Sequence, residues 1–205
     1  MQNSIPLAQL PFSQACENNK HAILSCLAQW LTDTTQVLEI GSGTGQHCVF
    51  FAEHLPHLCW QPSDQPHYLA NLQARLQHYP LNNLADGIEL DVSQSWPKLA
   101  TAIDAIYSAN TLHIMSPALV EAFFVGCAKV LVPKGCVVIY GPFNYSGEFT
   151  SDSNAQFDVW LKQQHPLSGI RDIEWITALA KQQGLILTED VQMPANNRML
   201  YFTRN

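Results

Sequence analysis

Three glycines at alternate positions, Gly41, Gly43 and Gly45, follow the short apolar run Val37 to Ile40, with Ser42 and Thr44 between them. An amphipathic stretch, Gln46 to Leu55, comes next and reads as a helix. Glycine turns through backbone conformations closed to other residues and lets a ligand lie against the main chain. The helix N-terminus behind it offers free N–H groups. This is how an α/β sheet builds a nucleotide or nucleoside pocket at the carboxyl ends of its strands. Asp64, 19 residues beyond Gly45, is placed to accept ribose hydroxyls. Asp91, with Val92 beside it, can reach an exocyclic adenine amine. Glu39 lies inside the strand just before the loop, where its charge opposes a pyrophosphate and favours a cation. The glycine spacing also departs from the Gly-x-Gly-x-x-Gly of dinucleotide folds. An adenosine carrying a sulfonium and an amino-acid tail is the better match.

Other residues could complete the chemistry. Asn110-Thr-Leu-His113 follows a fourth strand, and an imidazole that titrates near neutrality makes His113 the candidate general base. In-line transfer to a good nucleophile mainly needs alignment, so a base is not obligatory. Asn144, Asn154 and Arg171 can bind a polar substrate, and Arg171 could clamp an anion or pair with Asp158 or Asp172. Asn196 and Asn197 sit in a tight connection expected at the same sheet edge, although Asn also suits such turns for its own sake. Asn19 or Lys20, on the first helix, could hold a carboxylate. The eight histidines form no His-x-x-x-His pair, so no metal site is expected.

The elements that must position these groups alternate. A helix over 14–31 is capped by Ser13. Strands follow at 37–40, 58–64, 88–92, 103–108 and 136–140, with helices opening at Pro66 and Pro117. The second of these helices is expected to stop at Pro133-Lys134-Gly135. The nearly continuous apolar strand Cys136 to Tyr140 suits a sheet covered on both faces. A polar excursion begins at Gly141, and Ser153-x-x-Gln156 reads as a capping box for a helix with Phe157, Trp160 and Leu161 on one face. A helix over 172–183 ends at Gly184, and strands near 186–193 and 198–203 close as a hairpin. The expected fold is a Rossmann-like, doubly wound, seven-stranded, mostly parallel sheet with an antiparallel last strand and helices on both faces. One domain spans 1–205, with a helical cover over 1–33 and a lid over 142–171.

Composition bounds the partners. The chain has 205 residues, 47% of them hydrophobic and 13% charged, so a substantial core is expected rather than disorder. A net charge of −7, without any Lys/Arg cluster, argues against a nucleic-acid partner and for a small-molecule acceptor. The six cysteines show no Cys-x-x-Cys pair and read as buried reduced thiols. Residues 1–6 lack the plan of a signal peptide, and no apolar run could span a membrane, which points to the cytoplasm. Oligomeric state is not legible.

The run Val37 to Gly45, Asp64, Asp91 and Leu131-x-Pro-Lys-Gly135 resemble the landmarks of class I S-adenosylmethionine-dependent methyltransferases. A narrower set resembles the family of methyltransferase-like protein 26. It comprises Pro11-Phe-Ser-x-Ala-x-Glu-x-Asn-Lys20, Gly45-Gln-His47, Trp60-Gln-Pro-Ser-Asp64, His113-Ile114 and Tyr140-Gly-Pro-Phe-Asn144. Ser153-Asn-x-x-Phe-Asp158, Gly169-Ile-Arg-Asp172 and Met193-Pro-Ala-Asn-Asn197 complete it. The resemblance implies the fold and S-adenosylmethionine as cofactor, not the acceptor. The alternatives are a non-catalytic binder of S-adenosylmethionine or S-adenosylhomocysteine, and a nicotinamide-dependent oxidoreductase.

Overall fold

The computed structural model describes residues 6–205, so the reading of residues 1–5 as part of a leaderless start lies outside it. Helices α1 (Gln14–Trp30), α2 (Gln46–His54), α3 (Pro66–His78), α4 (Pro117–Val130), α5 (Asp152–Gln164) and α6 (Ile173–Gln182) alternate with nine strands. The strands are β1 (Gln36–Ile40), β2 (Cys59–Asp64), β3 (Ile88–Glu89), β4 (Ile103–Ala109), β5 (Leu131–Gly141), β6 (Phe143–Asn144), β7 (Arg171–Asp172), β8 (Leu185–Met193) and β9 (Asn197–Arg204). Seven of them form one sheet in the order β3-β2-β1-β4-β5-β9-β8. The pairs β1–β2, β1–β4 and β2–β3 are parallel, whereas β9 runs antiparallel to both β5 and β8. This is the expected α/β architecture, with the last strand inserted beside the edge strand.

The chain divides into two compact units, with the boundary after Tyr107. In the first, α1 turns Ile23 and Leu27 inward, and Val37, Leu38, Phe51, Trp60, Leu72 and Tyr107 are fully buried. Phe51, Trp60 and Tyr107 lie with ring centroids 5.5–5.7 Å apart, the tilted and edge-on geometries that aromatic quadrupoles favour. Ser13 caps α1 as expected, its hydroxyl accepting from the Cys16 N–H. The third strand is shorter than expected. Asp91 folds back to accept from the Ser93 N–H and hydroxyl, and this Asx turn ends the ladder at Glu89.

In the second unit, Phe123, Phe124, Val137, Ile176, Leu185 and Phe202 are completely buried. Helix α4 stops at Val130, earlier than its proline-glycine punctuation suggested, and the chain is already extended at Leu131. The stretch of β5 paired with β9 runs from Cys136 to Gly141, close to the expected strand. Gly184, at φ +76°, closes α6 as a C′ glycine.

The capping box is a correction. Ser151, not Ser153, is the N-cap of α5 and accepts from the Asn154 N–H. Ser153 lies inside the first turn and shares its hydroxyl with Ser151 at 2.9 Å. The buried face of α5 also differs: Asn154, Asp158 and Leu161 point inward, while Trp160 is exposed and stacks on Phe157. Polar side chains with local partners can occupy an inward face that an aromatic stripe seemed to claim. The expected lid segment is tied at its base, since β6 and β7 form a two-residue parallel pair. Of the six free cysteines, Cys48, Cys127 and Cys136 are buried, while Cys59 on β2 is exposed, contrary to the reading of buried thiols.

Candidate functional site

The glycine loop is built by three left-handed residues: Gly41 at φ +76°, Gly43 at +54° and Gly45 at +74°. Gly41 and Ser42 donate their N–H groups to the Ser63 carbonyl at 3.1 and 3.0 Å. Ser63 in turn donates its N–H to the Ser42 hydroxyl and its own hydroxyl to the Glu39 carbonyl. The loop is therefore stitched to the end of β2. A Cβ on Gly43 would meet nothing within 4 Å, so open space lies beside this backbone. On Gly45 it would press Leu72 and Arg75 at 3.0 and 3.1 Å. Gly45 is glycine for packing as well as for φ.

Asp64 is buried, and both its oxygens accept from the backbone: Oδ2 from Gly43 N–H at 2.6 Å, Oδ1 from Gln65 N–H at 2.7 Å. Burial raises its pKa, and those two N–H groups pull against the rise. Asp91 is half-buried beside buried Val92, with Oδ1 taken by Ser93. Thr44 donates to Gln46, and its carbonyl accepts from Arg75.

Glu39 differs from its expected role as a standing charge. It is 2% exposed, accepts from the Trp60 indole at 2.8 Å, and burial pushes its pKa up to about 7. It is an acid poised between its two forms, and the nearby Asp64 charge adds to the rise.

Sequence reasoning passed over Gln46. Its Oε1 accepts from Ser13 N–H at 2.6 Å and from the Thr44 hydroxyl, while Nε2 donates to Glu17 and to the Ser13 carbonyl. The start of α1 is thereby held on the glycine loop. Asn19 turns inward onto His47, at 2.7 Å from Nε2, and Lys20 pairs with Glu17 over the Phe50 ring. Neither side chain stands free as the carboxylate holder that was expected. Burial takes His47 down to about 4, so it is neutral at pH 7. Its position in Gly45-Gln-His47 was the available signal.

In the second unit, Asn110 adopts φ +58° and donates its N–H to Tyr140 at 2.8 Å. His113 is buried edge-on to Phe157, with centroids 5.3 Å apart. Burial, helped by the Arg171 charge, lowers its pKa to about 4, so the near-neutral titration expected of a general base is not what this environment produces. Arg171 is not ion-paired with Asp158 or Asp172. It donates to the carbonyls of Leu112, Met115 and Leu167, fastening the segment after β4 to the one before β7.

Asn154 donates to Thr150 and to the Asn196 carbonyl, and Asn196 returns a bond to Ser153. Asn197 closes its own turn by donating to Pro194 and Ala195. Both hairpin asparagines line a groove of about 340 Å³ with Tyr145, Thr150, Gln192 and Arg198. Arg198 is neutralised by Asp190 at 2.7 Å, and Asp190 also accepts from the Tyr145 hydroxyl. Asn144 is buried apart from that lining. Among the described residues, no group of three His, Cys, Asp or Glu side chains is placed to hold a metal ion, and no helix is long and apolar enough to cross a membrane.

Solved methyltransferases share this fold. The chain is similar to the mitomycin 7-O-methyltransferase MmcR, with a TM-score of 0.80 at 15% identity over 93% of this chain and 54% of that one. It is similar to the S-adenosylmethionine-dependent methyltransferase SibL, at 0.77 and 18%, covering 93% and 55%. An O-methyltransferase family protein from Burkholderia thailandensis matches at 0.77 and 14%, covering 91% and 56%. The chain thus spans about half the length of these structures, and at such identities the likeness is one of fold. Residues 10–204 match the model of the family described as "Protein of unknown function (DUF938)", and the chain belongs to that family.

Proposed function

We propose that this chain is an S-adenosylmethionine-dependent methyltransferase acting on a small polar acceptor. The observation that carries the reading is the loop Gly41 to Gly45, whose three left-handed glycines leave open space beside Gly43 and whose Gly43 N–H is held by Asp64. Such a surface suits a nucleoside laid against backbone. Gly41, Ser42, Gly43, Thr44, Gly45 and Asp64 would hold the ribose and tail, and Asp91 and Val92 the adenine. S-adenosylmethionine supplies an electrophilic methyl group on a sulfonium. Glu39, poised near neutrality behind the loop, is able to ionise in answer to a positive charge. Asn19 and Lys20 act indirectly in this reading, through His47 and Glu17.

Asn110 is proposed for the cofactor's methionine end, and His113, Asn144, Asn154, Asn196 and Asn197 for the acceptor side. His113, neutral and weakly basic, suits accepting a hydrogen bond from the acceptor rather than removing its proton at pH 7. Arg171 is assigned to holding the backbone beside it. The resemblance to the family of methyltransferase-like protein 26, the segment 142–171 as a lid, a single domain and a cytoplasmic location belong to the same reading. Six free thiols favour a reducing compartment.

Calorimetric titration with S-adenosylmethionine, S-adenosylhomocysteine and nicotinamide dinucleotide tests it. Binding of the two sulfur ligands alone, weakened in Asp64→Ala, is expected. Failure of both to bind, with and without a pool of polar metabolites, overturns the reading. Binding without methyl transfer to any component of that pool would make the chain a sensor instead.

A further inference from the structure

Asn144 and Asp172 are partners in the parallel pair of β6 and β7. In-register residues of such a pair leave the ladder on the same face, with strands about 5 Å apart. Their neighbours Phe143 and Arg171 take the other face, where Phe143 is buried and Arg171 holds three backbone carbonyls. Asn144 is 7% exposed. Its Oδ1 and the Oδ1 of Asp172 are both buried without a hydrogen-bond partner, and among the described residues they are the two side-chain atoms in that condition.

A buried acceptor without a donor costs about 1–3 kcal/mol, and more when charged. Two such oxygens on residues paired in one short ladder are therefore a costly arrangement for a fold to keep. Asp172 sharpens the point. It occupies the N-cap of α6, where an aspartate ordinarily accepts from the helix's own N–H groups, yet its side chain makes no capping bond. Charge decides what kind of donor is missing. Residues 144–174 carry five acids against two bases. Both bases are engaged, Lys162 by Asp158 and Arg171 by carbonyls.

We propose that Asn144 and Asp172 form the recognition site for a cationic nitrogen of the methyl acceptor, an alkylammonium or similar N–H donor. The two oxygens accept from the same nitrogen, which anchors the molecule at a point other than the atom methylated. Asp172 contributes the charge and Asn144 the direction. This deepens the methyl-transfer reading and rests on it for the word acceptor, whereas the binding site itself does not.

The test uses ¹⁵N-labelled full chain titrated with n-butylammonium, with 1-butanol and with butyrate as matched probes. Butylammonium is expected to shift the Asn144 side-chain amide and the backbone signals of residues 143–146 and 171–174, while the alcohol and the acid leave them in place. Asp172→Asn should weaken the response about tenfold, as loss of a charge-assisted bond would. Because both acceptors are unsatisfied, Asn144→Leu should leave the melting temperature unchanged or raised while removing the response. No shift at these residues, an equal response to butanol, or an unaffected Asp172→Asn each overturns the proposal. So does a fall in the melting temperature of Asn144→Leu by several degrees, which would mark a structural asparagine. S-adenosylmethionine titrated into the same samples separates the two ideas: donor binding without amine binding sinks this site alone, and the reverse sinks the methyl-transfer reading alone.

Discussion

Replacing Glu39 with glutamine isolates one buried proton. Glutamine has the shape of the protonated acid and keeps an oxygen for the Trp60 indole, which Glu39 accepts at 2.8 Å. In the wild type, burial carries the carboxyl from 4.5 to about 7. At about 1.4 kcal/mol per pH unit, that gap corresponds to about 3 kcal/mol. The direction follows from which state holds the proton. Below pH 4.5 both folded and unfolded chains are protonated at this site, and wild type and Glu39→Gln should be matched. Between 4.5 and 7 the unfolded chain releases a proton that the folded chain keeps, so wild type loses stability relative to the variant as pH rises. Above 7 the folded protein ionises too, and the difference levels off near its full value. Urea unfolding of both proteins at half-unit steps from pH 4 to 8 reads this directly, because other titrating groups cancel in the difference. A difference that stays flat, or that grows toward acid, would refute the account of Glu39 as a poised acid.

Gly43→Ala should cost about 1 kcal/mol through its left-handed φ alone, since no atom meets the new methyl, yet weaken S-adenosylmethionine binding by occupying the open space. A thermal melt and a calorimetric titration check the two halves, and an intact affinity would count against the cradle. The His113 imidazole, followed by proton–carbon NMR, should titrate at about 4 and stay silent between pH 6 and 8. His47 and His113, both held neutral by burial, should make stability fall as pH drops below the ordinary histidine value of 6.5; a double His→Gln variant that keeps the same acid slope would contradict this. Ser151→Ala should cost about 1 kcal/mol in urea unfolding and Ser153→Ala less than about 0.5, the reverse of what the sequence motif suggests.

Where the chain signals structure through covalent constraint or periodicity, the fold was legible. Pro66 and Pro117 open their helices, Gly184 ends one, and the glycine loop falls where the run Val37 to Gly45 places it. Hidden were matters decided by competition between nearby polar groups. Two serines could cap α5, and Ser151 wins by coming first. Asp91 could extend a strand, but its short side chain finds Ser93 sooner. The site shows the same divide. Residue types revealed the loop and its acids, whereas the ionisation of Glu39 depends on Trp60 and complete burial, which no local motif announces. Arg171 attracted a ligand-binding reading by its charge, yet three carbonyls reach it from segments more than fifty residues away and from four residues upstream. Asp172 drew notice as the start of a helix, in a resemblance segment and as a possible partner for Arg171, but not as an orphaned acceptor, because the missing cap bond exists solely in three dimensions.

Gln46 joins Ser13 and Glu17, at the start of the first helix, to Thr44 of the loop through a single amide. Its consequence lies in the order of local opening. The last turn of the loop and the first turn of α1 cannot loosen separately without stranding a buried carboxamide, so they should exchange their amide hydrogens as one cooperative unit. Residues 33 positions apart in sequence would then share a protection factor, and the speed at which the loop admits anything would be the speed at which the first helix lets go.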